Sequence, residues 1–304
     1  MKNFLLLLPL FFLYSCALDT EKKTDHIPVI VCTTGMLGDG LENILKGAEV
    51  EIVTLMKTGV DPHLYKATQG DVKSLMRSDI VVYNGVHLEG KMGDIFSKLE
   101  NRKTVIVASD GIPNELLINN SSFKGAHDPH IWFDVGIWSM ALQHIAEELM
   151  KYPSLDSALI AENWKTYKEK LKELDKWTFN QIAGIPEKQR TLITSHDAFS
   201  YFGRAYHIPV KGLQGISTVA EYGVRDVTEL VDFIIRNKIK AVFIETSVSS
   251  RSMRAVVEGC RASGHAVKIG GSLFSDSMGE EGTVEGTYVG MVKHNVQLIC
   301  KELK

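Results

Sequence analysis

From residue 26 onward, short apolar runs rich in valine and isoleucine alternate with stretches in which apolar residues recur every three or four positions. The runs at 28–33, 50–55, 80–84, 104–108, 191–194, 241–245 and 266–269 predict strands, since each is too short for a helix and is flanked by charged or turn-forming residues. Residues 38–46, 135–150, 227–237 and 252–262 predict amphipathic helices. Apolar strands separated by helices belong to parallel sheets covered on both faces, so the expected fold class is α/β.

One segment breaks this rhythm. Within 154–183, Ile160, Trp164, Tyr167, Leu171, Leu174 and Thr178 share one helical face, Lys and Glu fill the other positions, and Gly184 and Pro186 follow as stop signals. At ~1.5 Å per residue such a helix is about 40 to 45 Å long, more than a small domain needs. It falls in the middle of the chain, so it is expected to join two parallel-sheet lobes: an N-terminal lobe at 26–153, the linking helix at 154–184 and a C-terminal lobe at 185–304. A single continuous helix resists wide hinge opening, and only a small closure is expected.

At the N-terminus Lys2 precedes ten apolar residues, 4–13, which are followed by Tyr14, Ser15 and Cys16. A cation before an apolar run of this length has the form of a secretory signal. As a helix the run covers about 15 Å, half of a bilayer core. Leu13-Tyr14-Ser15-Cys16 resembles the bacterial lipobox. Residues 1–15 are therefore expected to be a cleaved lipoprotein signal peptide, Cys16 the lipidated mature N-terminus and 16–25 a polar tether. The protein is expected to be exported and lipid-anchored to the membrane, facing the periplasm or the cell exterior.

The 304 residues, 44% hydrophobic and 23% charged, are ordinary for a globular protein and sufficient for two domains. With 34 Lys and Arg against 37 Asp and Glu the formal charge is -3, so there is no basic excess for a nucleic-acid partner to engage. Cys32, Cys260 and Cys300 show no C-x-x-C spacing. They are expected to be buried small hydrophobes, with room for one disulfide but not for a thiolate metal site.

His26, His87, His144, His207, His265 and His294 have no partner at ligand spacing and read as structural. His63 and His130 differ. Each ends an Asp-Pro-His triplet, Asp61-Pro62-His63 and, 67 residues later, Asp128-Pro129-His130, with an aromatic residue two positions on in both, Tyr65 and Trp132. His196, in Thr194-Ser195-His196-Asp197, follows the first strand of the second half, and Asp276 lies in the loop after the run at 266–269. In open α/β sheets, ligand groups gather beyond the carboxyl ends of the strands. Two candidates from each half would then face one another and form a metal site between the lobes. Three imidazoles and a carboxylate suit a borderline divalent cation, and four protein groups leave little room for an activated water. Capture, not catalysis, is the chemistry implied. With imidazole pKa values of about 6.5, affinity is expected to fall from about pH 7 towards about pH 5.

These segments together resemble a known family, the metal-binding receptor lipoproteins of bacterial zinc and manganese ABC transporters, the solute-binding cluster A-I. The resemblance runs through Gly59-Val60-Asp61-Pro62-His63-Leu64-Tyr65, Asn84-Gly85 with Glu89, Asp128-Pro129-His130-Ile131-Trp132, Thr194-Ser195-His196-Asp197-Ala198-Phe199, Gly215-Ile216-Ser217-Thr218 and Leu273-Phe274-Ser275-Asp276. The wording Ser275-Asp276-Ser277-Met278-Gly279, then Gly282-Thr283 and Gly286-Thr287-Tyr288, is most similar to a spirochaetal member. The resemblance implies two α/β lobes bridged by one long helix and a single Zn(II) or Mn(II) ion between them as transported ligand. The implied ligands are His63, His130, His196 and Asp276, the same four that position in the chain singles out. A cognate ABC permease in the membrane is the implied partner, and the receptor is expected to be a monomer. One departure stands out: Lys66-Ala67-Thr68 replaces the family's usual Pro-Thr-Pro. Manganese-dedicated members tend to carry a carboxylate at the third ligand position, so His196 points to zinc as the tightest-binding ion. The lack of the His-rich loop found in many zinc-dedicated members keeps manganese as a cargo.

Two other functions compete with this reading. A metal-dependent hydrolase would need an open coordination position and a general base such as Asp128 or Glu245. A surface adhesin would need a dedicated feature, and the chain offers none. The anchor is directly testable: Cys16→Ala is expected to move the protein from the membrane fraction to the soluble fraction without changing metal affinity, and continued membrane association would refute the lipobox reading.

Overall fold

A computed structural model describes residues 26–119, 126–219 and 222–304. The signal peptide, Cys16 and the tether at 16–25 lie outside the described residues. The first half folds in the order β1 (Val29–Thr34), α1 (Gly35–Ile44), β2 (Glu51–Met56), α2 (Gln69–Arg77), β3 (Ile80–Tyr83), α3 (Gly93–Glu100), β4 (Thr104–Val107) and α4 (Val135–Leu149). Its four strands are all parallel, in the order β2-β1-β3-β4, with Ile30 opposite both Ile52 and Ile80. β1 and β3 are central and almost wholly buried, which is why they read as unbroken apolar runs. The chain turns outward on both sides of this central pair, so the crevice beyond their carboxyl ends is where a ligand is expected.

Next comes α5 (Ser157–Ala183), 27 residues and about 40 Å long. Asp156 caps it by accepting the Ala158 and Leu159 N–H groups, and Gly184 ends it. Its buried stripe is Ile160, Trp164, Tyr167, Leu171, Leu174, Thr178 and Ile182. The helix packs on α1 and α4 of the first half. Beyond it come β5 (Leu192–His196), α6 (Ser200–Tyr206), β6 (Val210–Gln214), α7 (Val224–Arg236), β7 (Ala241–Glu245), α8 (Arg251–Ala262), β8 (Lys268–Leu273) and α9 (Tyr288–Leu303). α5 also packs on α6 and α9, so it touches both halves. β5 pairs with β6 and β7 with β8, all parallel, and β5 lies beside β7.

Two strands depart from the sequence expectation. β6, with only Leu213 buried, is too polar to stand out as an apolar run. β8 starts at Lys268 and continues to Leu273, past the expected end at residue 269, because it crosses Gly270 and Gly271 through a register shift opposite Val242 and Phe243. Glycine erases the strand pattern while allowing the bulge, and Gly271 takes φ 139° there.

The largest hydrophobic core is shared by both halves, running from Ile30 and Leu41 through Trp132, Trp138 and Leu171 to Tyr288, Met291 and Leu303. Smaller cores lie under α2 and α3 in the first half and under α7 and α8 in the second. Cys32, Cys260 and Cys300 are all buried free thiols, so the room left for a disulfide is unused. Burial pushes the Cys32 thiol up to about 12 and makes it inert. Among the described residues no helix is long and apolar enough to cross a membrane. A core continuous across both halves leaves no slack for a wide hinge. The radius of gyration from small-angle scattering is expected to be the same with metal and with chelator; a clear expansion on chelation would contradict this.

Candidate metal centre

The four candidates occupy four different strand exits: His63 the loop after β2, His130 the segment between β4 and α4, His196 the last position of β5, and Asp276 the loop after β8. They come together as a group in which one ligand atom from each lies within 4.8 Å of all the others. All are buried: His130 and His196 are 0% exposed, Asp276 3% and His63 5%. His130 Nε2 stands 3.2 Å from His63 Nε2 and 3.3 Å from His196 Nε2. Nitrogens bound tetrahedrally to zinc at about 2.05 Å are about 3.3 Å apart, so His130 has the spacing of a shared ion to each of the other two imidazoles. Asp276 Oδ1 lies 3.4 Å from His130 Nε2, and Oδ2 lies 3.4 Å from His196 Nε2 and 4.0 Å from His63 Nε2. Both oxygens are buried, and among the described residues neither has a hydrogen-bond partner nearer than these imidazole nitrogens. Burial of a carboxylate without a donor is costly, and a cation is what such oxygens lack.

The repeated Asp-Pro-His triplet has a local physical meaning. In both copies the aspartate Oδ1 accepts the N–H of the histidine two residues on, at 2.9 Å, which closes a turn and fixes the histidine backbone. Asp128 Oδ1 also holds His130 Nδ1 at 2.7 Å. At His196 the same double grip comes from Glu245, at the end of β7, whose Oε1 accepts the His196 N–H at 2.9 Å while Oε2 bonds Nδ1. A carboxylate on Nδ1 keeps the proton there and turns the Nε2 lone pair inward, towards the other candidates. The sequence marks Asp128 as a member of the repeated triplet, and Asp128 and Glu245 as candidate bases, but not their role in holding the histidines. The available signal was Glu245 itself, a lone acid ending an apolar strand.

Further contacts set the frame. Buried Glu89 accepts the Thr33 hydroxyl at 2.6 Å and the Asn84 N–H at 2.8 Å, and Asn84 Nδ2 donates to the Pro129 carbonyl at 3.0 Å, beside His130. Trp132 lies edge-on to the His130 ring, and its Nε1 donates to the Ser275 carbonyl at 3.0 Å, beside Asp276. Gly212 of β6 is required by close approach: a Cβ there would lie 2.5 Å from the Asp197 nitrogen and 2.6 Å from the His196 carbonyl carbon. Thr68 and Asp71 form a reciprocal capping box at the start of α2, and the Tyr65 hydroxyl donates to Asp71 Oδ2 at 2.7 Å. These hydrogen bonds fix the segment at 66–68, which lacks proline.

Burial lowers the His63 pKa to about 3. Burial also opposes the charge on His130, but the Asp128 and Asp276 carboxylates outweigh it and raise the pKa to about 9. His196 is raised well above the ordinary imidazole value, burial again being outweighed by Glu245 and Asp276. Asp276 is held well below the usual carboxylate range, because His196 and His130 override its burial. These directions favour protons on His130 and His196 in the metal-free quartet, whose rings face different oxygens of Asp276.

The quartet is a buried cluster of three imidazoles and a carboxylate, with the donor types a metal ion could use, at the meeting of two parallel α/β halves. A family model described as ZnuA, zinc-uptake complex component A, periplasmic, matches residues 30–301, and the chain belongs to that family. Its members are substrate-binding components of transporters. The chain is 48% identical over 295 residues to the manganese-binding lipoprotein MntA of Bacillus subtilis, covering 97% of this chain and 96% of that one. It is 44% identical over 285 residues to the zinc-binding protein TroA of Treponema pallidum, covering 93% and 91%. The solved structure of the periplasmic zinc-binding protein TroA from Treponema pallidum matches with a TM-score of 0.89 at 43% identity, over 91% of this chain and 99% of that one. The fold and the family expected from the motifs are both borne out.

The raised imidazoles shift the expected pH window upward. A proton held by a pKa of about 9 must leave before metal binds, so apparent affinity is expected to keep rising from about pH 6.5 to about pH 9. Over the same interval the metal-free fold loses the stability that protonated His130 provides, since its folded pKa exceeds the unfolded value of about 6.5. Calorimetry at pH 7 in buffers of different ionisation enthalpy is expected to show about two protons released per ion. An affinity that levels off above pH 7 would contradict the assignment.

Proposed function

We propose that this protein is an extracytoplasmic receptor that captures one divalent transition metal ion, Zn(II) or Mn(II), through His63, His130, His196 and Asp276 and delivers it to an ABC permease. The observation that carries this reading is the convergence of three imidazole nitrogens on a buried carboxylate whose two oxygens, among the described residues, have no nearer hydrogen-bond partner. The names of its relatives support the same cargo, MntA being called manganese-binding and TroA zinc-binding. Cys16 anchors the mature chain through lipid, residues 16–25 tether it, and lobes at 26–153 and 185–304 are joined by the helix at 154–184. It acts as a monomer.

A role in binding and not in hydrolysis is supported by the acids around the quartet. Asp128 and Glu245, the two residues placed to act as a base, are both committed to histidine Nδ1 and backbone N–H groups. Three nitrogen donors favour zinc over manganese in affinity, so zinc binds more tightly in vitro while either ion can serve as cargo.

Elemental analysis of protein purified without added metal is expected to find one ion per chain. A thousandfold excess of free metal over Kd should stabilise the fold by about 4 kcal/mol, seen as a raised melting temperature that chelator reverses. His196→Glu exchanges a nitrogen donor for an oxygen and is expected to weaken zinc and narrow its advantage over manganese. Unchanged selectivity in that variant, or a melting temperature of metal-loaded protein indifferent to chelator, would refute the site.

A further inference from the structure

Three of the four candidates are held from behind, and His63 is held from across the cleft. Asp128 and Glu245 each grip both the ring and the backbone of their histidine. The Asp276 loop is pinned by Trp132 at the Ser275 carbonyl and by Asn295, whose side chain exchanges two hydrogen bonds with the backbone of Phe274. Among the described residues no carboxylate bonds the Nδ1 of His63. Its backbone N–H is taken by Asp61 Oδ1 at 2.9 Å, and the other oxygen of Asp61 accepts the hydroxyl of Thr218, in the second half, at 2.7 Å. The same loop is fastened to the second half twice more: the Thr58 hydroxyl donates to the Gly279 carbonyl at 2.8 Å, and the Gly59 N–H donates to Ser277 Oγ at 3.0 Å. His63 Nε2 also stands 4.0 Å from Asp276, against 3.4 Å for each of the other two imidazoles, and the next residue, Leu64, is 48% exposed.

We propose that Thr218, acting through Asp61, is a positioning residue that seats His63 on a preformed half-site of His130, His196 and Asp276, so that breaking the Thr218–Asp61 hydrogen bond is the step that lets metal exchange. The inference rests on the proposed function, since it takes the four residues as ligands. Its physical basis is the location of the bonds. Freeing His130, His196 or Asp276 would mean breaking buried hydrogen bonds behind them, whereas His63 can leave with its loop once bonds at the rim of the cleft open. Thr218 touches none of the four, and it is only half-buried.

The test is the dissociation rate of Zn(II) from the full chain, measured by stopped-flow mixing with excess chelator. Thr218→Val, which keeps the shape and removes the hydroxyl, is expected to release zinc about tenfold faster, the effect of losing one hydrogen bond to a carboxylate. Thr218→Ala should behave alike, and Thr218→Ser should restore the original rate. In a His63→Ala background, Thr218→Val is expected to have no further effect, because its partner in the mechanism is gone. A wild-type chain that binds zinc while Thr218→Val and Thr218→Ala release it at the wild-type rate would overturn the inference alone. The same acceleration with and without His63 would also overturn it. A wild-type chain that binds no zinc would overturn the proposed function and this inference together.

Discussion

The structure turns on one buried carboxylate. Asp276 is buried, and among the described residues its two oxygens have no hydrogen-bond partner nearer than the imidazole nitrogens of His130 and His196. A desolvated negative charge in that position is tolerable only beside positive charge, which the raised imidazoles of His130 and His196 are placed to provide. Much of the local architecture follows from this requirement. His130 and His196 have carboxylates behind them to hold the right tautomer, and those carboxylates come from both halves of the chain.

Assembling a quartet from four distant strand exits demands that the exits hold still relative to one another. Local turns cannot achieve that, since the contributing loops lie on separate halves of the chain. α5 and the shared core do so, because the helix packs on α1 and α4 on one side and on α6 and α9 on the other. Direct bonds reinforce the arrangement: the Tyr167 hydroxyl donates to Asp39, the Tyr288 hydroxyl to the Trp132 carbonyl, and the Trp132 indole to the Ser275 carbonyl. Trp132 thereby couples a candidate ligand of the first half to one of the second through a single rigid side chain.

What could be read from the sequence was whatever obeys a strong local period. The central strands and the long helix were legible because complete burial on two faces, or on one helical stripe, leaves an unbroken signature in residues such as Ile80, Val81 and Val82, or Trp164 and Leu171. β6 was not legible, since an edge strand containing Lys211 and Gly212 has too few buried positions, and the end of β8 was hidden by two glycines at a bulge. The candidate quartet was found from strand-end positions and the repeated triplet, and its convergence in space required the fold. Glu245 and Thr218 escaped because their importance lies in which residue they face, 49 and 157 positions away respectively. No periodicity records a partner at that distance.

The protonation of the quartet suggests why such a site would favour a divalent ion. Without metal, His130 and His196 hold their protons above Asp276, while burial keeps His63 neutral. Exchanging those two protons for one divalent cation leaves the net charge of the buried cluster unchanged, so neither state has to accommodate an uncompensated charge. A monovalent ion entering by the same exchange would leave the cluster one charge too negative, and in a dehydrated interior that imbalance is expensive. Selection among divalent ions must then come from the donors themselves, where nitrogen-rich coordination ranks zinc above manganese. With the proposed ligand set, charge matching would set the valence and donor chemistry the order within it. Both depend on the same four side chains, and neither requires the halves of the protein to move far.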